Sequence, residues 1–121
     1  MKVQFAVGAE DLPTEASYVA IVHAAGAKLG STEASDTTTR PLWNTLIGGE
    51  ETDLPDDTEI TVKICSAENT SDAVATAKFV LYQVMSAEYH AKASYTTEQS
   101  DHGAKIALYG AEPTMGLIQF Q

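Results

Sequence analysis

Thr58-Glu59-Ile60-Thr61-Val62-Lys63-Ile64-Cys65-Ser66 is the stretch whose reading decides the fold. Ile60, Val62 and Ile64 alternate with Thr61, Lys63 and Cys65. Successive side chains of an extended chain point to opposite faces, so this pattern gives one apolar face and one wet one. The same period of two recurs on either side. In Lys2–Val7, Val3, Phe5 and Val7 alternate with Lys2, Gln4 and Ala6, and in Ala104–Tyr109, Ala104, Ile106 and Leu108 alternate with Lys105, Ala107 and Tyr109. Near the end, Ile118 and Phe120 alternate with Gln119 and Gln121. The Thr, Val, Ile and Tyr content suits a pleated, half-buried surface.

Turn chemistry separates these segments. Gly48-Gly49 followed by Glu50–Asp57 with Pro55 reads as a loop, as do Glu68–Asp72, Ser100–Gly103 and Gly110–Pro113. Short alternating segments punctuated in this way predict an all-β fold. The expectation is a single antiparallel β-sandwich over residues 1–121, Ig-like or jelly-roll-like, of about seven to nine strands with both terminal strands in the sheets.

Two segments also fit helices. In Thr14–Leu29, Tyr18, Ile21, Val22, Ala25 and Leu29 trace a helical face with Gly30 as a stop. The β-branched content and Gly26 favour a strand, a turn and a short return strand. In Ala73–Tyr95 the odd positions from Ala77 to Tyr95 are apolar except for Gln83, whereas the even ones change from Val80, Tyr82 and Val84 to Ser86, Glu88 and His90. A strand buried on both faces and running out to a half-exposed one has this pattern. Its length far exceeds the usual strand of about 5–6 residues, so a bend or hairpin is expected near Ser86–Glu88. The alternative architecture is a small α+β domain with helices at Thr14–Leu29 and Asp72–Ala93.

The chain has 121 residues, 44% hydrophobic and 20% charged, which is one globular domain's worth of sequence. No run approaches the about 18 apolar residues of a membrane-spanning helix, and MKVQFAVGAEDLP does not read as a signal peptide. Seventeen acidic residues against 7 basic ones give a net charge of −10. The basic residues Lys2, Lys28, Arg40, Lys63, Lys78, Lys92 and Lys105 are spread along the sequence and form no evident patch. Neither nucleic acid, which rewards clustered cations, nor a membrane is therefore expected as partner. Cys65 has no second cysteine to pair with, which excludes an intrachain disulfide and a cysteine-based zinc site.

Each candidate site has a plain structural reading beside it. Glu50–Glu59 is acidic, and Asp53, Asp56, Asp57 and Glu59 could supply oxygens to calcium. EF-hand spacing is absent, and a solvated turn around Pro55 explains the stretch better. His90 follows Glu88 at strand spacing but lacks a third partner, His102 lies in a turn, and His23 in its apolar run reads as a satisfied buried residue. No Gly-x-Ser-x-Gly, HExxH, Walker A or GxGxxG motif is present, so no enzyme and no cofactor is expected. Cys65 reads as a small core residue, Trp43 as a core plug or a binding platform, and Asn69-Thr70-Ser71 as a turn rather than a glycosylated sequon.

The functional expectation is a structural assembly subunit acting through protein–protein contacts, such as a virus-particle decoration, cement or tail protein. A homo-oligomer or a larger assembly in the virion follows from it. Its interface residues would be Tyr89 and Tyr95, which share a face with alanines, and Leu117, Ile118 and Phe120 of the last strand. Lys2–Val7 would be a second exposed edge to be covered by a partner. The alternative is a monomeric Ig-like binding or adhesion domain that uses its end loops.

Overall fold

Eight strands follow one another in a computed structural model that describes residues 2–84, 92–96 and 104–111. They are β1 (Lys2–Glu10), β2 (Tyr18–Ala24), β3 (Ala27–Ser31), β4 (Ile47–Asp53), β5 (Glu59–Ser66), β6 (Asn69–Val80), β7 (Lys92–Thr96) and β8 (Lys105–Ala111). One helical turn, α1 (Leu81–Val84), follows β6. The strands form two antiparallel sheets with orders β4-β1-β8-β7 and β3-β2-β5-β6. The expected antiparallel sandwich is the fold, and where the α+β alternative placed helices the described residues 18–24, 27–31 and 69–80 are strand.

The alternation explains which residues make the core. Val3, Phe5 and Val7 of β1, Ile60, Val62 and Ile64 of β5, and Ile106 and Leu108 of β8 are all buried and belong to one apolar cluster. From β2, Tyr18, Ala20 and Val22 join it, and from β6, Ala75, Ala77 and Phe79. The β2–β5 ladder pairs Ala20 with Ile64 and Val22 with Val62, and β5–β6 pairs Ile60 with Phe79. These opposite pairs share a face, and their burial rather than backbone preference fixes the register.

In Thr14–Leu29 the strand reading holds. Ala25 and Gly26, both at positive φ, turn β2 into β3. A left-handed turn of this kind follows the twist of the flanking strands.

Three expectations are corrected. Residues 48–53 are not loop: Gly48 and Gly49 lie inside β4, which pairs with β1. Gly48 has φ +89°, and a Cβ there would sit 2.7 Å from the carbonyl oxygen of Val3. The double glycine therefore permits a close approach at an edge strand, which needs no apolar alternation.

The long strand expected from Ala73 ends at Val80. Leu81 and Val84 are buried one helical turn apart while Tyr82 is exposed, and the amides of Leu81 and Tyr82 donate to the carbonyls of Thr58 and Asp56. Apolar residues three apart fit a helical face as well as the strand buried on both faces that was expected, and these hydrogen bonds select the turn. The bend expected at Ser86–Glu88 lies outside the described residues.

The third correction concerns β1, which is not a free edge: it lies between β4 and β8. Its second half is also paired on the β4 side, where Ala9 donates to Pro41 O and Trp43 to Val7 O. The terminal segment carrying Leu117, Ile118 and Phe120 lies outside the described residues.

Two ends of the sandwich follow from this topology. Loops 11–17, 32–46 and 67–68 meet at one end, while turns 25–26 and 54–58 and helix α1 lie at the other. The long 32–46 segment is tied down. Ala20 N donates to Thr32 Oγ1 at 3.0 Å, Tyr18 N to Ser35 Oγ at 3.0 Å, and Trp43 Nε1 to Tyr18 O at 3.3 Å. Trp43 is buried, so it is a core plug rather than a platform.

Ile64→Ala tests the core assignment. Loss of the transferred methyl groups and the cavity left behind should cost about 2–5 kcal/mol, read as a lowered denaturation midpoint. A variant as stable as the parent would remove β5 from the centre of the core.

Candidate binding face

On β5 the residues between the core positions point away from the other sheet, and the ladders decide what stands beside them. Lys28 of β3 is paired with His23 of β2, His23 with Thr61 of β5, and Thr61 with Lys78 of β6. One row along, Ser31 is paired with Ile21, Ile21 with Lys63, and Lys63 with Thr76. Directly opposed residues share a face. The outer face of the β3-β2-β5-β6 sheet therefore carries Lys28, Lys63 and Lys78 around His23. From Lys28 to Lys78 is three interstrand steps, roughly 14 Å at about 4.8 Å each.

All three lysines are exposed, and none forms an ion pair with a described residue; the pair found among those residues is Arg40–Glu10, at 4.0 Å on the other sheet. Ile21, His23, Lys28, Lys63 and Thr76 line an open groove of about 630 Å³, with Cys65 and Asp72 towards the β5–β6 hairpin. Among the described residues, carboxylates stand at the margins of these rows, Glu59 at the start of β5 and Asp72 near the hairpin tip. Sequence reasoning saw seven dispersed cations. Lys63 and Lys78 share this face through the β5–β6 hairpin, and Lys28 of the β2–β3 hairpin joins them through the long-range β2–β5 pairing.

His23 departs from its expectation as well. It is half-buried and its Nδ1 is buried without a hydrogen-bond partner, so it is not a satisfied core histidine. Cys65 is buried, as a core residue should be. Burial pushes its thiol pKa up, the ammonium of Lys63 pulls it down, and Asp72 adds to the rise. A thiol held protonated is a poor nucleophile.

The calcium candidates do not assemble a site. Asp53 ends β4, Asp56 and Asp57 lie in the turn after it, and Glu59 begins β5, all exposed and at the end opposite the long loops. Among the described residues no three His, Cys, Asp or Glu side chains group closely enough to hold a metal ion. Asn69 sits at the hairpin tip, where Ser71 N and Oγ donate to its Oδ1 at 3.3 and 2.7 Å, as a turn residue would. Tyr95 is paired with Ile106 in the β7–β8 ladder. Tyr89, Glu88, His90 and His102 lie outside the described residues.

No protein-family model and no curated protein matches this sequence. Solved structures do share its fold. A C2 domain aligns with TM-score 0.69 at 11% identity, covering 92% of this chain and 96% of its own. A structure holding the two C2 domains of extended synaptotagmin 2 aligns with TM-score 0.63 at 14% identity over 90% of this chain and 39% of its own. Human GIVD cytosolic phospholipase A2, solved with an inhibitor and terbium chloride, aligns with TM-score 0.58 at 18% identity over 92% of this chain and 17% of its own. This chain thus spans a minor part of the two longer proteins.

These likenesses correct the expectation of a particle-assembly subunit, whether decoration, cement or tail protein. The structures similar to this chain are C2 domains, one standing alone and others built into longer proteins. The N-terminal edge on which the assembly expectation leaned is already occupied by β4 and β8. What these likenesses show is the fold, a β-sandwich similar to that of C2 domains.

Proposed function

We propose that this domain is a non-catalytic binding module that docks on an anionic phospholipid surface by the outer face of its β3-β2-β5-β6 sheet. The observation that carries the reading is the gathering of Lys28, Lys63 and Lys78 around His23 on one face of a chain whose net charge is −10. The likeness to C2 domains supports it, as does a neighbour that is by name a phospholipase. A cation near an anionic bilayer contributes about 1 kcal/mol, so three give at most about 3 kcal/mol, reduced by Glu59 and Asp72 at the margins, a reversible attachment. The acidic remainder of the molecule is repelled by the same surface, which orients the encounter. The sequence pointed to protein partners through its tyrosine–alanine face and terminal edges, with its cations dispersed; the distribution of charge on this sheet favours lipid.

A second reading is binding through the end loops. It is favoured by the hydrogen bonds that hold 32–46 against β2, because a preorganised loop loses little entropy on binding.

Co-sedimentation with phosphatidylcholine vesicles, with and without phosphatidylglycerol, tests the proposal. Binding should require the anionic lipid and weaken as salt is raised. Lys63→Glu removes one cation and adds one anion, so it should cost about 2 kcal/mol, roughly thirtyfold in partitioning. Lys63 is exposed, and its thermal melt should hardly move. Equal binding to neutral vesicles, or full binding by the variant, would overturn the sheet-face reading. Anionic-vesicle binding that rises when Glu33 and Asp36 are reversed to lysine, while Lys63→Glu has no effect, would instead favour the loops.

Calcium should be dispensable. The neighbour solved with terbium chloride prompts the comparison, yet the described residues of this chain bring no three metal ligands together. Millimolar calcium should leave both vesicle binding and the melting temperature unchanged. A ligand at about 100 times its dissociation constant would add about 2.7 kcal/mol, which a melt resolves.

A further inference from the structure

We infer that His23 makes the basic face proton-sensitive, so that anionic phospholipid binds more tightly as pH falls through the range in which imidazole titrates. The inference rests on the sheet-face reading above and concerns the regulation of that same site. Histidine is the side chain whose ordinary titration lies between about pH 5 and 8, and His23 stands at the centre of the cation row. Lys28 is directly opposite on β3 and Thr61 directly opposite on β5. Glu59 and Lys63 flank Thr61 along β5, and Lys78 stands beyond it on β6, with Cys65 and Asp72 towards the hairpin.

The geometry couples proton and anion. Nδ1 is buried with no partner, and His23 lines the groove, which leaves Nε2 as the ring nitrogen that a ligand can meet. Protonation places a hydrogen on both nitrogens and a positive charge beside three lysines. The added charge stands beside those lysines, and the Nδ1 hydrogen finds no acceptor. A phosphate oxygen over the row offsets the first of these, because it neutralises the lysines and accepts from Nε2. Proton and anion therefore favour each other, and linkage makes the effect reciprocal. One added charge near an anionic surface is worth about fivefold in partitioning.

The test is vesicle binding at about pH 7.5 and about pH 5.5, which bracket imidazole titration, using phosphatidylglycerol because its phosphodiester keeps one charge throughout. The parent should bind about fivefold more tightly at the lower pH, and His23→Gln should bind equally at both. Replacing His90 and His102 together by Gln should leave the response intact. A response that survives His23→Gln, or disappears with the other two histidines, overturns the inference. Binding at both pH values without a difference also overturns it, while the sheet-face reading stands; no binding at either brings down both. A readout independent of folding of the variant is the His23 ring signal of the parent in nuclear magnetic resonance. Its titration midpoint should move to higher pH when short-chain phosphatidylglycerol is added, and an unmoved midpoint refutes the coupling.

Discussion

The whole arrangement depends on burying the apolar phase of two central strand pairs, β1 with β8 and β2 with β5, in one core. Val3, Phe5, Val7, Ile106 and Leu108 come from one sheet, and Ala20, Val22, Ile60, Val62 and Ile64 from the other. Burial of this kind is the main favourable term in folding, and in a strand it dictates the opposite face too. Once Ile60, Val62 and Ile64 turn inward, Thr61 and Lys63 must turn outward. The cation row on the β3-β2-β5-β6 sheet is thus a consequence of the core, expressed on its other side.

The ends of the sandwich are constrained differently. The 32–46 segment is long for a connection, and its side-chain hydroxyls take over where the ladders stop. Thr32 and Ser35 accept from the β2 amides of Ala20 and Tyr18, and Trp43 fills the core beneath. Backbone groups that would be stranded at the sheet end are satisfied in this way. The loop end is consequently fixed relative to the sheets.

Charge shows why composition and surface have to be read separately. A net charge of −10 governs solubility and long-range repulsion, but contact with a surface is decided within about a Debye length. At that range the face carrying Lys28, Lys63, Lys78 and His23 is basic, and its carboxylates stand at the margins. Under the proposed reading, such a domain would meet an anionic surface in one defined orientation.

The sequence by itself determined the sandwich, because β1, β5 and β8 each bury one face and a period of two is local information. It also determined the β2–β3 hairpin through Gly26. It did not reveal β4, where two glycines and an edge position erase the alternation, or α1, whose Leu81 and Val84 also fit a strand buried on both faces. The candidate site was the least legible part. His23 lay in an apolar run that resembled core, and its unpartnered Nδ1 depends on neighbours from other strands. Lys63 and Lys78 meet across the β5–β6 hairpin, but Lys28 is far from them in sequence, and only the long-range β2–β5 pairing, set by common burial, puts all three on one face.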